Sequence, residues 1–217
     1  MLVLLTSIAL AARPEPIERT LPTEMPSLTI ENASGLTRVR MDEDAGKSTV
    51  TVRQGLLWAE GCEVVFTGNR EQAVATVTRE GERAGLRCRA RFDVVLAGPT
   101  TLDLDTRSGR IRGKDLEQVA SAHAGFGSVD LRFAEAPAGT VSAKVGVGRA
   151  RVHFPYGTWL DLDTDTVVGH VATEIPNRED AITDLNAEAK LGGVGVRTVL
   201  VPWEQLQPPA PAVATSE

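Results

Sequence analysis

The chain has 217 residues, a formal net charge of −6 at pH 7 and a pI near 5.2. An acidic chain of this kind argues against nucleic acid or an anionic membrane as the main partner. Glycine is common, at 20 residues, and long apolar stretches with a helical period are absent. The composition therefore favours one large all-β domain.

The first twelve residues, Met1 to Ala12, form an apolar run. The run is too short to span a bilayer, which takes ~20 residues, and Ala9-Leu10-Ala11 is a small-x-small cleavage pattern. We therefore predict a signal peptide over residues 1–12; its basic start is missing, as in a truncated signal. A buried N-terminal strand is the alternative. We expect an exported protein in the periplasm, on the cell surface or outside the cell, with no transmembrane segment after signal removal.

Proline-rich segments flank the remaining chain. Residues 13–26 are predicted to form an extended Pro-rich linker, and residues 206–217 a disordered Pro/Ala-rich tail. Residues 27–205 between them are predicted to form a single β-repeat domain. Its first half contains candidate strands over 49–52, 62–67, 73–78 and 86–96. The polar turn at 80–85 predicts a hairpin between the last two.

Cys62 and Cys88 are the only cysteines. Each alternates with apolar residues along its predicted strand, so both are expected to point into the core. In an exported chain such a pair predicts a disulfide, worth about 3 kcal/mol for a loop of this size. Two buried free thiols are the alternative.

The second half repeats a strand-turn-strand unit with one glycine in each turn. Similarity at a near-fixed period of this size is typical of stacked β units. Apolar residues recur seven and five positions before each glycine, except in the last copy, where Asn186 and Glu188 stand there. On the polar side, Asp105, His123, Lys144 and Asp165 share one column. The predicted turn glycines are Gly35, Gly109, Gly127, Gly148, Gly169 and Gly193.

Asp161 and Asp163 alternate along one strand, and Trp159 precedes them. Alternate strand residues lie about 6.5–7 Å apart, too far for one calcium ion. A solvated acidic face is therefore the favoured interpretation, and these three residues are the possible ligand face. The aromatic residues could stack on sugars or cap the β core; these are Trp58, Tyr156, Trp159 and Trp203.

No pattern in the sequence predicts a catalytic residue, a metal site or a cofactor. The nucleophile-elbow motif Gly-x-Ser-x-Gly is absent. The glycine-rich stretches 146–148 and 192–195 fall in repeat turns without a following helix, so they are not phosphate-binding loops.

The run Leu102-Asp-Leu-Asp-Thr-Arg-Ser-Gly-Arg-Ile-Arg-Gly-Lys-Asp-Leu116, with its next copy from Val119 to Leu131, resembles the bacterial putative-adhesin β-repeat family, a domain of unknown function. The resemblance covers residues 28–200 and is strongest over 99–155. The Ser-Gly turn is lost around Gly169 and Gly193, and the cysteine pair is not part of the family pattern. The resemblance implies an elongated β-stack in the cell envelope and carries over no catalytic residues.

The expected fold is all-β, with stacked strand repeats in a β-solenoid-like or elongated sandwich arrangement and few or no helices. The expected function is a non-enzymatic, adhesin-like binding or scaffold role towards an envelope protein or polysaccharide. A carbohydrate-binding or carbohydrate-active β-helix is the alternative. Polymerisation by edge-to-edge strand pairing is a third hypothesis.

Overall fold

The computed structural model describes residues 15–22, 25–55, 58–69, 71–80, 82–118 and 120–199. The predicted signal peptide and the predicted tail lie outside these residues. The all-β prediction is confirmed, since the helical content of the described ranges is one short 3-10 turn, Glu43–Ala45.

The strands follow one another along the chain with short connections. They are β1 Ile17–Thr20, β2 Ser27–Met41, β3 Thr49–Gln54, β4 Cys62–Gly68, β5 Gln72–Arg79, β6 Glu82–Arg83, β7 Arg89–Leu96, β8 Thr101–Leu116, β9 Ala120–Phe133, β10 Gly139–Pro155, β11 Asp161–Thr173 and β12 Thr183–Val199.

All strands belong to one 12-stranded mixed sheet with the order β1-β3-β7-β2-β8-β9-β10-β12-β11. From β2 to β11 the neighbours are parallel and in register. The sheet forks at β2: residues 27–31 pair with β5, and residues 34–41 pair with β7. The two halves of β2 therefore continue into separate arms of the sheet.

Each long strand folds back on itself near its middle. Strand β8 has 16 residues and would be about 50 Å long if straight. Its end at Leu116 is nevertheless joined to the start of the parallel neighbour at Ala120, a connection that spans at most about 14 Å. The two ends of β8 must therefore lie close together. Leu104 before the bend and Ile111 after it are both fully buried, although simple alternation would put them on opposite sides.

The bend is made at a column of stacked glycines, and the predicted repeat is a single bent strand rather than two strands joined by a turn. The register aligns the glycines of neighbouring strands, and all have positive φ: Gly35, Gly109, Gly127, Gly148, Gly192 and Gly169. A Cβ built at Gly127 would overlap the carbonyl oxygen of Gly109 on the preceding strand. Glycine is required here both for its backbone conformation and for the close approach of the strands.

One predicted turn glycine is wrong. Gly192, not Gly193, aligns with Gly148 and Gly169. Counting from Gly192 puts Leu185 and Ala187 in the apolar columns, and both are buried. The last copy of the repeat therefore has the same apolar columns as the others. It departs from them only when Gly193 is taken as its turn glycine.

A single hydrophobic cluster fills the space between the two halves of the bent strands. Pre-bend residues such as Leu102 and Leu104 and post-bend residues such as Ile111 and Leu131 belong to it. Phe133 and Phe154 stack with ring centroids 4.9 Å apart. Because both halves face this core, their polar sides point away from it.

Three other local predictions differ from the structure. The order of the repeats in the sequence predicts three strand spacings between the aspartate-bearing strands β8 and β11. Because β12 lies between β10 and β11, four spacings, about 19 Å, separate them. The hairpin predicted between β5 and β7 is absent: β5 pairs with β4, β2 and the two-residue β6, while β7 pairs with β2 and β3. Residues 17–20 of the predicted linker form β1, which pairs with β3.

Candidate functional site

An aromatic cleft of about 430 Å³ opens where β10 ends and the loops around β11 begin. A tight turn creates one wall: Thr158 donates from its hydroxyl to the Pro155 carbonyl (2.8 Å), and Gly157 takes a φ of 84°. The turn leaves Tyr156 and Trp159 74% and 52% exposed. Ordinary core-capping aromatics would be far more buried, so these rings are available to a ligand.

The opposite wall carries a charged pair. The Arg178 guanidinium lies 5.0 Å from the centroid of the Trp159 ring and donates to both carboxylate oxygens of Asp180, at 2.5 and 3.0 Å. These hydrogen bonds, followed by the charge of Arg178, lower the pKa of Asp180. The carboxylate is therefore ionised at neutral pH and cannot act as a general acid. Aromatic faces beside fixed donors and acceptors suit binding.

The structure separates the predicted ligand-face residues. Trp159 lines the cleft, whereas Asp161 and Asp163 lie on the outer side of β11 and do not line it. Asp163 accepts a hydrogen bond from the Asn186 side chain at 3.3 Å. Among the described residues, no group of three or more His, Cys, Asp or Glu side chains is placed to hold a metal ion.

Cys62 and Cys88 form the predicted disulfide, with Cα atoms 5.6 Å apart. The bond ties the start of β4 to the turn that precedes β7. Trp58 packs beside it and donates from its indole nitrogen to the Cys62 carbonyl at 3.0 Å. Trp58 is therefore a structural residue that does not contribute to the aromatic cleft; Trp203 lies outside the described residues.

The outer sides of the bent strands carry opposite charges on balance, although Arg107, Lys144 and Lys190 lie on the pre-bend side and Asp130 on the post-bend side. We call the pre-bend side the acidic face and the post-bend side the basic face. The acidic face carries Glu31, Asp103, Asp105, Asp161, Asp163, Asp165, Asp184 and Glu188. The basic face carries Arg38, Arg40, Arg110, Arg112, Lys114, Arg132, Arg149, Arg151 and Arg197.

The predicted charge column lies on the acidic face. Asp105, His123 and Lys144 are register neighbours, with His123 Nδ1 3.2 Å from the Asp105 carboxylate. Glu188 follows next and lies 3.8 Å from Lys144. Asp165 comes after Glu188 because β12 lies between β10 and β11. Such cross-strand pairs contribute about 0.2–1 kcal/mol each.

His153 is half-buried at the edge of the basic face. Burial lowers its pKa, although Asp130, 3.8 Å away, acts in the opposite direction. The charges of Arg132, Arg197 and Arg151 lower the pKa further. The imidazole is therefore neutral at physiological pH, and it adds no positive charge to the basic face.

No family model matches the chain, and no curated protein matches it significantly. Among solved structures, a putative cell adhesion protein from Clostridium sporogenes ATCC 15579 superposes with a TM-score of 0.64 at 17% identity, over 86% of this chain and 100% of that one. The chain shares the fold of this protein. The resemblance to putative adhesins is thereby confirmed at the level of fold.

Two further solved structures match over similar lengths with lower scores. A putative adhesin from Bacteroides fragilis NCTC 9343 has a TM-score of 0.40 at 8% identity, over 85% of this chain and 97% of that one. A putative lipid binding protein from Parabacteroides distasonis ATCC 8503 has a TM-score of 0.29 at 9% identity, over 87% and 98%. Within the described residues, no helix has the length and apolar character needed to cross a membrane.

Proposed function

We propose that this chain is a non-enzymatic, exported β-repeat protein of the bacterial cell envelope with an adhesin-like binding role. The observation that carries the proposal is the in-register display of charged side chains on both outer faces of β2 and β8 to β12. Such repetition suits an extended ligand better than a small substrate. The fold shared with a putative cell adhesion protein supports the same role.

Export is supported by the disulfide, because disulfides persist in oxidising compartments. The test is an intact mass of the native protein from fractionated cells, alkylated with and without prior reduction. We expect loss of about the first dozen residues, as the signal-peptide pattern predicts, and protection of Cys62 and Cys88 until reduction. A full-length cytosolic protein with two reactive thiols would refute the envelope location.

We propose further that the repeats form a solenoid-like stack in which each bent strand is one coil. Support comes from the short connections, such as residues 117–119 between β8 and β9, which join the end of one strand to the start of its parallel neighbour. Small-angle scattering distinguishes this elongated shape from a compact sandwich. A compact, near-spherical profile would contradict it.

The aromatic cleft favours a second candidate function, carbohydrate binding. Tyr156 and Trp159 offer exposed rings beside the Arg178–Asp180 pair, and an aromatic anchor in a cleft typically dominates binding. In calorimetric titrations with envelope glycans, Trp159→Ala should weaken binding about tenfold or more. Phe126→Ala, which removes an exposed ring that does not line the cleft, is the matched control. Absence of heat with every glycan tested would remove this candidate.

A further inference from the structure

An apolar ridge runs along the outside of the bend at one end of the sheet. It consists of Phe126, Val147, Leu191 and Val168, which are 59%, 39%, 47% and 61% exposed. The four residues are aligned with one another across the neighbouring strands β9, β10, β12 and β11. Each stands directly before the glycine at which its strand bends. At the same position β2 and β8 carry Ser34 and Ser108, so the ridge is confined to one end.

The exposure of the ridge follows from the bend. Phe126 continues the alternation of Ala122 and Ala124, both buried, so a straight strand would turn its ring into the core. The bend interrupts the pairing of β9 with β10 one residue before Phe126, where Gly125 and Gly146 are not paired with each other. The alternation shifts there, and the ring points outward. Contiguous exposed apolar side chains on a folded protein typically mark an interaction site.

Cationic side chains flank the ridge on both sides. Lys190 precedes Leu191 on β12, and Arg149 and Arg151 lie just beyond the bend on β10. Neither arginine forms a side-chain ion pair with another described residue. Asp130, the register partner of Arg151, lies instead 3.4 Å from Arg132 and 3.8 Å from His153.

A shallow groove of about 400 Å³ lies beside the ridge. Its floor is the glycine-rich part of β12, Gly192 to Gly195, and its sides carry Arg149, Arg151, His170 and Arg197. Arg197 lies 3.6 Å from Glu174. Because Gly193 and Gly195 have no side chains, the groove can admit a bulky anionic group between the arginines.

We propose that the ridge and its flanking cations bind the surface of an anionic lipid bilayer. An apolar edge that enters the interface, combined with arginines and lysines at headgroup depth, is the pattern of proteins that lie on membranes. The ridge stands on the convex side of the bend, which suits a flat surface. An anionic glycan would use the arginines but leave the apolar residues without a partner.

The net charge of −6 disfavours an anionic surface for the chain as a whole, but locally the charge is segregated. Asp165 and Glu188 belong to the acidic face, on the other side of the ridge from Arg149 and Arg151. Contact through the ridge, tilted towards the post-bend side, brings Arg149 and Arg151 to the lipid headgroups and turns Asp165 and Glu188 away. The attraction decays within a Debye length of ~8 Å at physiological salt. Binding is therefore expected to be reversible and to weaken as salt rises.

The test is co-sedimentation of the purified protein with vesicles of phosphatidylcholine, with and without phosphatidylglycerol. The protein should bind the anionic vesicles and scarcely bind the neutral ones. Leu191→Glu and Val168→Glu should each weaken binding tenfold or more. Arg149→Ala and Arg151→Ala should each weaken it about fivefold, equivalent to about 1 kcal/mol per cation near the surface.

Matched controls separate the ridge from general surface effects. Leu86→Glu replaces a leucine that is 58% exposed in the turn before β7, outside the ridge and the aromatic cleft. Lys47→Ala removes an exposed cation far from the ridge in the sequence. Both should bind like the unaltered protein. Since every altered side chain is exposed, circular dichroism and unfolding midpoints should stay unchanged, so a loss of binding reports the surface itself.

Several results would overturn the proposal. These are equal binding to both kinds of vesicle, full binding by the ridge variants, or an equal loss with Leu86→Glu. A dimer that Leu191→Glu converts to monomer would make the ridge a contact between copies of this chain. Binding to polygalacturonate that needs Arg149 but not Leu191 would make the basic face a glycan site.

The biological role of membrane binding rests on the proposed envelope location, but the outcome of the vesicle test does not depend on that location. A negative vesicle result leaves export and adhesin-like binding standing. A cytosolic, unprocessed protein would refute export and leave a positive vesicle result intact.

Discussion

The adjacent glycines Gly192 and Gly193 give the sharpest test of how the strands stack. Gly192 has a φ of 139°, and a Cβ there would overlap the carbonyl oxygen of Gly148 on the neighbouring strand. Gly193 has no such φ, and the nearest atom to its Cβ would be the His170 carbonyl oxygen at 3.3 Å. Alanine at the two positions should therefore have very different costs.

For Gly192→Ala the expected loss of unfolding free energy has two parts. Holding alanine in this backbone conformation costs about 1–3 kcal/mol, and moving the neighbouring strand away from the new methyl group costs about 1–3 kcal/mol. The sum, about 2–6 kcal/mol, lowers the melting temperature by roughly 4–24 °C at about 2–4 °C per kcal/mol. Gly193→Ala should stay within about 1 kcal/mol, because alanine in a regular strand is favoured over glycine by about 0.5–1 kcal/mol.

The assay is urea unfolding followed by far-ultraviolet circular dichroism, with the disulfide intact in both variants. Gly157→Ala is a further control, because Gly157 also has a positive φ but no atom within 4 Å of its Cβ. It should show the conformational cost without the steric one. If Gly193→Ala proved as destabilising as Gly192→Ala, the stacking of Gly148, Gly192 and Gly169 would be wrong.

Two further predictions follow from the disulfide and from His153. Replacing both Cys62 and Cys88 by alanine should lower the free energy of unfolding by about 3 kcal/mol, because the disulfide closes a loop with a sequence separation of 26. Reductant should destabilise the native protein and leave the stability of the double variant unchanged. An equal response of both proteins to reductant would contradict the prediction. The pKa of His153 is lowered below 6.5 in the folded state, first by burial, so the unfolded chain takes up a proton before the folded one does. The contribution of neutral His153 to the free energy of unfolding should therefore be fully present above pH 6.5 and be lost as the pH decreases through the lowered pKa. The urea midpoint should change less across this pH window in the His153→Gln variant than in the unaltered protein. An identical pH profile for the two proteins would refute the assignment.

The sequence could not identify the aromatic cleft because its two walls come from separate loops. Trp159 was a candidate, but its neighbours Arg178 and Asp180 follow a whole strand later, and no motif connects them. Their proximity depends on where the loops at the two ends of β11 lie. The one available sequence signal is the composition of residues 177–182, a polar segment that ends in an exposed isoleucine.

The sequence by itself determined the features that depend on local geometry. Alternation of apolar and polar residues dictates strands with one buried side, and a glycine repeated once per strand marks the bend. The inward positions of Cys62 and Cys88, together with the expected export, predicted the disulfide that the structure contains.

Only the tertiary structure decided which strands are neighbours and where the alternation shifts. Strand β12 could follow β11 or lie between β10 and β11 without any change in its own pattern, because pairing depends on contacts between distant residues. Gly192 and Gly193 are indistinguishable until a neighbouring carbonyl oxygen excludes a side chain at one of them. Phe126 and Leu191 continue a buried alternation in the sequence, and the bend turns them outward to form the ridge.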